Sequence, residues 1–485
     1  MGVKVYDTYK VTGYLTSYVT GYEEKRRCYK LKGRMPCIRK ENAMRMKQKG
    51  VLLAVSLAVA AVLSGCGQKQ PAPGEIAGYD VGEQYLSIWV HSIEETEEGQ
   101  CYKEAVESFN QAYNGTYFAD IEFIPRNDSG GGYSDKINAS VMSGGLPDVL
   151  TVDGPNIAAY AENGIIRPLA EISEEEKNVY LESILEQGTY NNELYALGAM
   201  ESSVGLYYNK EILKEAGVET PDAEHPWTWT EFLAVLDKVK TVTDQRNGYA
   251  IDMTFPTGEA TIYYYAPFFW SNGGDFVDSS GLNAQGIFDS QENLETLDYF
   301  KEILNRGYMS PVQITDLFES GRAAFKFDGA WEVNTIYANY PDINLGVAPY
   351  VVSDNWSGER YTPTGSWAFA ASSKTEHIEG ATKLVQHMSG VESGKRLWEK
   401  SRNFPSTYEA FESSPLFEED ENYKALYHQL KSYGHPGSKT PVYPQVSSSV
   451  QEVLENVVLT GKEPQKELDK SIERIDAKLK RYKVE

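Results

Sequence analysis

Asp153 closes the run Leu146-Pro147-Asp148-Val149-Leu150-Thr151-Val152-Asp153, a buried-strand pattern that ends in a carboxylate. Open α/β sheets bind ligands at the C-terminal edge of their strands, so Asp153 is a candidate binding residue; capping of the helix that follows is the structural alternative. Chemistry that needs a fixed constellation finds little support. No G-x-S-x-G occurs, and neither Gly394-Lys395 nor Gly461-Lys462 completes a phosphate-binding loop. The stretch Asn127 to Tyr133 (NDSGGGY) lacks a following Gly-Lys-Ser/Thr and reads as a loop. His91, His225, His377, His387, His428 and His435 show no i, i+4 pairing and have no cysteine close by, so no metal is expected. Carboxylates are plentiful, but nothing singles out an acid/base pair. No catalytic residue and no cofactor are expected.

One covalent modification is implied. Met44 to Gln68 reads MRMKQKGVLLAVSLAVAAVLSGCGQ: a positive segment with Arg45, Lys47 and Lys49, then thirteen residues from Val51 to Leu63 with Ser56 the only polar one, then Leu63-Ser64-Gly65-Cys66. Thirteen helical residues cover roughly 20 Å, short of the ~30 Å hydrocarbon core, so a spanning helix is not expected. The order is that of an export signal, and the small residues before the cysteine resemble a bacterial lipoprotein signal. Residues 44–65 would be removed and Cys66 would become an acylated (palmitate-type) first residue. Residues 1–43 stand upstream of the fold. Residues 66–82 (CGQKQPAPGEIAGYDVG) are rich in Gly, Pro and Gln and read as a flexible tether. The expected location is the cell membrane, lipid-anchored on the extracellular face, or the periplasm where the host has an outer membrane.

From Cys66 onward the chain has 420 residues, 33 basic and 66 acidic, a formal charge of −33. Such a chain repels phosphate backbones, which argues against nucleic acid as a partner. Cys66 and Cys101 are the cysteines that remain, so a disulfide scaffold is excluded. Four hundred residues exceed one core, and two lobes are expected.

Strand and helix patterns alternate along the chain, which argues for an α/β fold. Tyr85-Leu86-Ser87-Ile88-Trp89-Val90 is a short strand followed by a helix carrying Val106, Phe109 and Tyr113. Leu206 to Asn209 leads into a short helix stopped at Gly217, and Thr228-Trp229-Thr230-Glu231 is a capping box before Phe232, Leu233, Leu236 and Val239. Tyr263 to Trp270 is an aromatic run closed by Ser271-Asn272-Gly273-Gly274; most of its rings belong in a core, and Trp270, beside the glycine pair, is expected to reach a cleft. Gly321 to Trp331 is a turn, a strand and a Trp at the mouth of a helix; Thr364-Gly365-Ser366-Trp367 opens a second such device. Two amphipathic helices close the chain, separated by Gly461 and Pro464.

Several stretches resemble the bacterial extracellular solute-binding proteins of sugar ABC transporters, the family that includes maltose-binding protein. They are GGLPDVLTVDGPNIAAYAENGIIRPL (144–169), YYNKEILKEAGVETP with TWTEF (207–232), GRAAFKFDGAW (321–331), GSWAFAASSKTEHIEGATKLVQHM (365–388), NFPS (403–406) and the end VLTGKEPQKELDKSIERID. The blocks keep the family order over residues 85 to 480. Gly365 followed by Ser, and the Tyr-rich stretch 263–265, depart from its pattern.

The resemblance implies a two-lobed periplasmic-binding-protein-like fold (type II) with the ligand between lobes joined by a hinge. The lobes would be 83–206 with 350–405, and 207–349 with 406–485. It implies a receptor for a carbohydrate, an oligosaccharide by preference, which hands it to the permease subunits of an importer and breaks no bond. A monomer is expected. Asp153 matches a position that bonds sugar hydroxyls, Trp331 the Trp that stacks on a pyranose face, and Trp270 a place where cleft aromatics occur. Trp89 and Trp367 fall on cleft-edge loops, and Glu201 and Arg402 beside the crossings. Flat rings suit the C–H faces of a sugar, and carboxylates its hydroxyls. Two alternatives stay open: the same fold with a polyamine or peptide ligand, and a secreted glycoside-acting enzyme.

Overall fold

In the computed structural model the described residues are 75–76, 79–80, 84–126, 131–221, 225–256 and 258–483. The signal, Cys66 and most of the tether lie outside them. The fold is mixed α/β, as expected, and is organised on two sheets. Its principal strands are β1 (Gln84–Val90), β2 (Tyr117–Phe123), β3 (Val149–Asp153), β4 (Ala196–Gly198), β5 (Val204–Asn209), β6 (Tyr249–Asp252), β7 (Ala323–Gly329), β8 (Leu345–Ala348) and β9 (Trp367–Ala371).

The first sheet has the order β2-β1-β3-β9-β4, with β1 parallel to β2 and β3, and β9 antiparallel to β3 and β4. The second has the order β6-β7-β5-β8, with β6 and β7 parallel and β5 antiparallel to both its neighbours. Both faces of β1 are covered, which is why it reads as nearly continuous apolar sequence. Leu86, Ile88 and Val90 enter one core, and Trp89 enters the other with Tyr133, Leu150 and Val152.

Local signals formed as written. Thr228 and Glu231 exchange side chain-to-backbone hydrogen bonds of 3.3 and 2.9 Å, closing the box, and Phe232, Leu236 and Val239 are fully buried behind it. Asn209 caps the helix Lys210–Glu215, and Gly217 stops it at φ +63°. The closing helices, Tyr443–Leu454 and Pro464–Leu479, bury Val446, Val450, Leu468 and Ile475 against the second sheet's core. No helix among the described residues is long and apolar enough to cross a membrane.

The chain leaves the first sheet at Gly198 and enters the second at Val204, so the boundary expected at 206 falls inside β5. The apolar run Val204 to Tyr208 carries no punctuation in sequence; pairing with β7 and β8 decides where it belongs. The return from β8 to β9 spans 349–366. Phe404 to Thr407 remain against first-sheet elements: Glu201 N–H donates to the Phe404 carbonyl at 2.8 Å, and Leu181 N–H to the Ser406 carbonyl at 3.0 Å.

Candidate functional site

Antiparallel pairing of β3 with β9 sets Trp367 opposite Asp153 at one end of the first sheet. Asp153 is held above the usual carboxylate range by burial, opposed by the positive charge of Arg126 and by the Gly154 N–H. The Trp367 indole lies flat on the His91 imidazole, with centroids 3.5 Å apart at 8°. His91 is 2% exposed and fixed in turn: Nε2 is 3.1 Å from Glu98 Oε1 and Nδ1 is 3.2 Å from Thr151 Oγ1. Burial pushes the His91 pKa down, against the attraction of Glu98. The Arg126 guanidinium lies 5.7 Å from the Trp367 ring centroid. This aromatic is clamped from below and attended by a cation.

The second sheet ends β7 at Gly329, and Trp331 opens the helix Trp331–Asn339. A Cβ on Gly329 would stand 2.1–2.4 Å from three ring atoms of Trp331, so the absent side chain is what lets the indole lie on the strand end. Trp331 is 37% exposed. Tyr263 and Tyr264 lie beside it at centroid distances of 6.1 and 6.4 Å, and 6.3 Å from each other, so both stand on one side of the indole. Both belong to the helix Glu259–Ser271, whose first residue accepts from the Tyr443 hydroxyl and, at 2.8 Å, from Ser447. Burial holds Glu259 above the carboxylate range, and the charge of Asp153 raises it further. Asp153 of the first sheet and Glu259 beside the second are thus in electrostatic reach of each other.

Between the sheets runs the segment 199–203. Glu201 is 2% exposed, and its carboxylate accepts from Ser202 N–H at 2.7 Å, from Gly365 N–H and from the Ser183 hydroxyl. Burial pushes its pKa up to about 7 in spite of those donors. Both oxygens are used inside the protein, so Glu201 ties two interlobe segments together instead of offering itself to a ligand. Close by, the Tyr263 hydroxyl is within reach of the Ser202 side chain.

The residues expected at the site therefore separate. Asp153, Trp331 and Trp367 stand on the facing sheet ends. Trp89 does not reach a cleft edge: it is 5% exposed in the core on one face of the first sheet, with Lys136 Nζ 4.2 Å from its ring centroid. Trp270 is 8% exposed and stacks on His435 at 4.1 Å. The aromatic run forms a helix, and at about 1.5 Å per residue Trp270 lies roughly 16 Å along the axis from Glu259, so the first tyrosines take the place expected of the last ring. Arg402 is apart from the group. It sits at φ +58° at the end of the helix Val391–Ser401, lies 5.5 Å from the Trp398 centroid and donates to the Trp398 carbonyl at 3.0 Å.

His91, Arg126, Glu259, Tyr263 and Tyr443 were not marked by sequence. Glu259 had one usable signal, an acid in the first turn of a helix after Gly258; the others reach the site only through sheet pairing and helix packing. No group of three or more His, Cys, Asp or Glu able to hold a metal occurs among the described residues. Flat rings, hydroxyls and carboxylates suit recognition of a hydroxylated molecule by stacking and hydrogen bonding.

Residues 104–425 match the family model of the bacterial extracellular solute-binding proteins. Among curated relatives, the arabinooligosaccharide-binding protein of Bacillus subtilis is 23% identical over 387 residues, covering 76% of this chain and 82% of its own. Among solved structures, an ABC substrate-binding protein of Listeria monocytogenes in complex with cycloalternan superposes with a TM-score of 0.67 at 20% identity, over 82% of this chain and 99% of that one. UgpB of Mycobacterium tuberculosis in complex with glycerophosphocholine superposes with a TM-score of 0.69 at 18% identity, over 83% and 100%. These structures share the two-lobed fold, and with the family match over most of the chain they place it: this protein is a bacterial extracellular solute-binding protein.

Proposed function

We propose that the protein captures an oligosaccharide outside the cytoplasmic membrane and passes it to the permease of an ABC importer, closing its two sheet-based lobes on the ligand. The observation that carries this reading is Trp331: a large, partly exposed aromatic held on Gly329 beside two tyrosines, one of which feels the charge of Asp153. An indole face exposed at that place suits the C–H face of a pyranose or furanose ring. The names of curated relatives, an arabinooligosaccharide-binding and a galactooligosaccharide-binding protein among them, support the same ligand class. Acylation at Cys66 holds the receptor at the membrane, the receptor works as a monomer, and the segments 199–203 and 349–366 belong to the hinge.

The test is thermal unfolding against mono- and oligosaccharides, with polyamines and peptides as controls. A specific ligand at a hundredfold excess over Kd stabilises by about 2.7 kcal/mol, a readily measured shift in midpoint. The expected result is a sugar-specific shift that Trp331→Ala removes, with the sugar recovered unchanged. Recovery of a cleaved sugar would establish an enzyme instead. Stabilisation by a polyamine or peptide alone would overturn the carbohydrate.

A further inference from the structure

The two lobes also touch each other directly, through residues other than those of the candidate site. After Asp153 the chain makes a 3₁₀ turn, Gly154–Asn156, and the helix Ile157–Glu162. Ile157 is buried in a core of the first sheet, while Ala159, two residues on, is buried among residues of the second sheet's core. The helix Tyr443–Leu454 packs on this run from the second lobe. The run starts against the segment 349–366, since Gly154 N–H donates to the Ser366 carbonyl at 2.9 Å.

Two ties cross between the lobes. Near that start, Lys439 Nζ donates to the Thr189 carbonyl at 3.1 Å and to the Glu186 carbonyl, at the end of the helix Glu182–Gly188, where a cation is favoured. Pro436, Ser438 and Lys439 leave about 10 Å³ between themselves and Gly154, Pro155 and Thr189, at the limit of one water. The second tie is at the other end of the run, roughly 14 Å further along it. There Asn163 Oδ1 accepts from the Arg481 guanidinium and from the Tyr482 hydroxyl, each at 2.9 Å. Asn163 is fixed to its own helix by Nδ2, which donates to the Ala159 carbonyl at 2.7 Å. Arg481 and Tyr482 follow the helix Pro464–Leu479, and Tyr482 packs on the second sheet's core. A contact beside a hinge shifts little when two bodies rotate, and one a lever arm away must part. The Lys439 tie is placed to survive opening, and the Asn163 tie is placed to break.

Resting on lobe closure and not on the class of ligand, we propose that Arg481 and Tyr482 form a latch on Asn163, made when the lobes close and broken when they open. The closed arrangement gains two hydrogen bonds and the burial of Ala159 there. Losing them shifts the balance toward the open lobes, so the latch slows ligand release without touching the ligand.

The experiment compares the full chain with Arg481→Ala/Tyr482→Phe, which removes both donors, and with Asn163→Ala, which removes the acceptor from the other lobe. Amide exchange without ligand should quicken about fivefold over 154–162 and 443–447 together in either variant, with the helix Glu97–Ala112 unchanged. Release of a bound arabino-, galacto- or malto-oligosaccharide, followed by stopped flow, should quicken by the same factor. All three substitutions together should add nothing to either variant, because each already breaks the same contact. Faster exchange confined to the substituted residues, unchanged release, or additive effects would overturn the latch. If none of these saccharides binds, the carbohydrate reading falls, and the exchange result alone decides the latch.

Discussion

Trp367 and Trp331 follow the same device in sequence, a glycine and then an indole at a strand end, yet the two sheets use them differently. The first sheet covers one face of Trp367 with His91 and brings Arg126 over the ring. The second seats Trp331 on Gly329 and leaves it 37% exposed. An aromatic at a cleft becomes a ligand platform when a face is left open. Where a neighbouring ring fills that face, the indole becomes part of the wall.

The largest effect that would sharpen this comparison is on affinity. Trp331→Ala should weaken ligand binding by about 3 kcal/mol, over a hundredfold, from lost burial and stacking together, with little change in the unfolding midpoint. Calorimetric titration reads the first quantity and a thermal scan the second; a large fall in stability with affinity intact would reverse the roles given to the two rings.

Between the two walls, Glu201 adds a pH dependence of similar size. Its folded pKa of about 7 exceeds the ordinary 4.5, so the native state binds the extra proton. The stability it contributes is fully present below about pH 4.5 and is lost as pH rises through 7, about 3 kcal/mol in all. Unfolding by denaturant from pH 4 to 8 should show that decline, and Glu201→Gln should flatten part of it. A decline unchanged in the variant would mean that other buried acids, such as Asp153 and Glu259, carry it.

Trp367→Ala should act in the opposite sense to Trp331→Ala. We expect a loss of about 2 kcal/mol of stability, from a partly buried ring that His91 packs against, with a smaller fall in affinity. Chemical denaturation beside a titration separates the two. Equal losses of affinity in both tryptophan variants would make the two walls alike.

The smallest effect is expected at Arg402. Arg402→Gly relieves a left-handed residue but loses the bond to the Trp398 carbonyl, so stability should move by less than about 1 kcal/mol and affinity within twofold. A tenfold loss of affinity would bring Arg402 into the site.

Much of this molecule is legible in one dimension because the signals are local. A capping box needs only Thr228 and Glu231; a helix stop needs only Gly217; alternating strand and helix patterns name an α/β fold. The end of β3 placed Asp153, and a Trp beside a required glycine placed Trp331, since both follow from where a strand stops. Trp89, Trp270 and Arg402 were misplaced for one common reason: proximity to a strand end, a glycine pair or a crossing between lobes says nothing about which way a side chain faces. Pleat parity turned Trp89 into a core, helix pitch carried Trp270 away from the cleft, and a left-handed helix end turned Arg402 toward Trp398.

The sequence by itself determined the class of the fold, the order of its elements, the strong negative charge and the residues at strand ends, because spacing and composition act over a few residues at a time. Tertiary structure alone decided that His91 lies under Trp367, that Glu201 spends its carboxylate on Ser183, Ser202 and Gly365, and that Asp153 and Glu259 feel each other across 106 residues of chain. Those pairings join segments far apart in sequence, and only the pairing of strands and the packing of helices across the two sheets brings them within a hydrogen bond or a field.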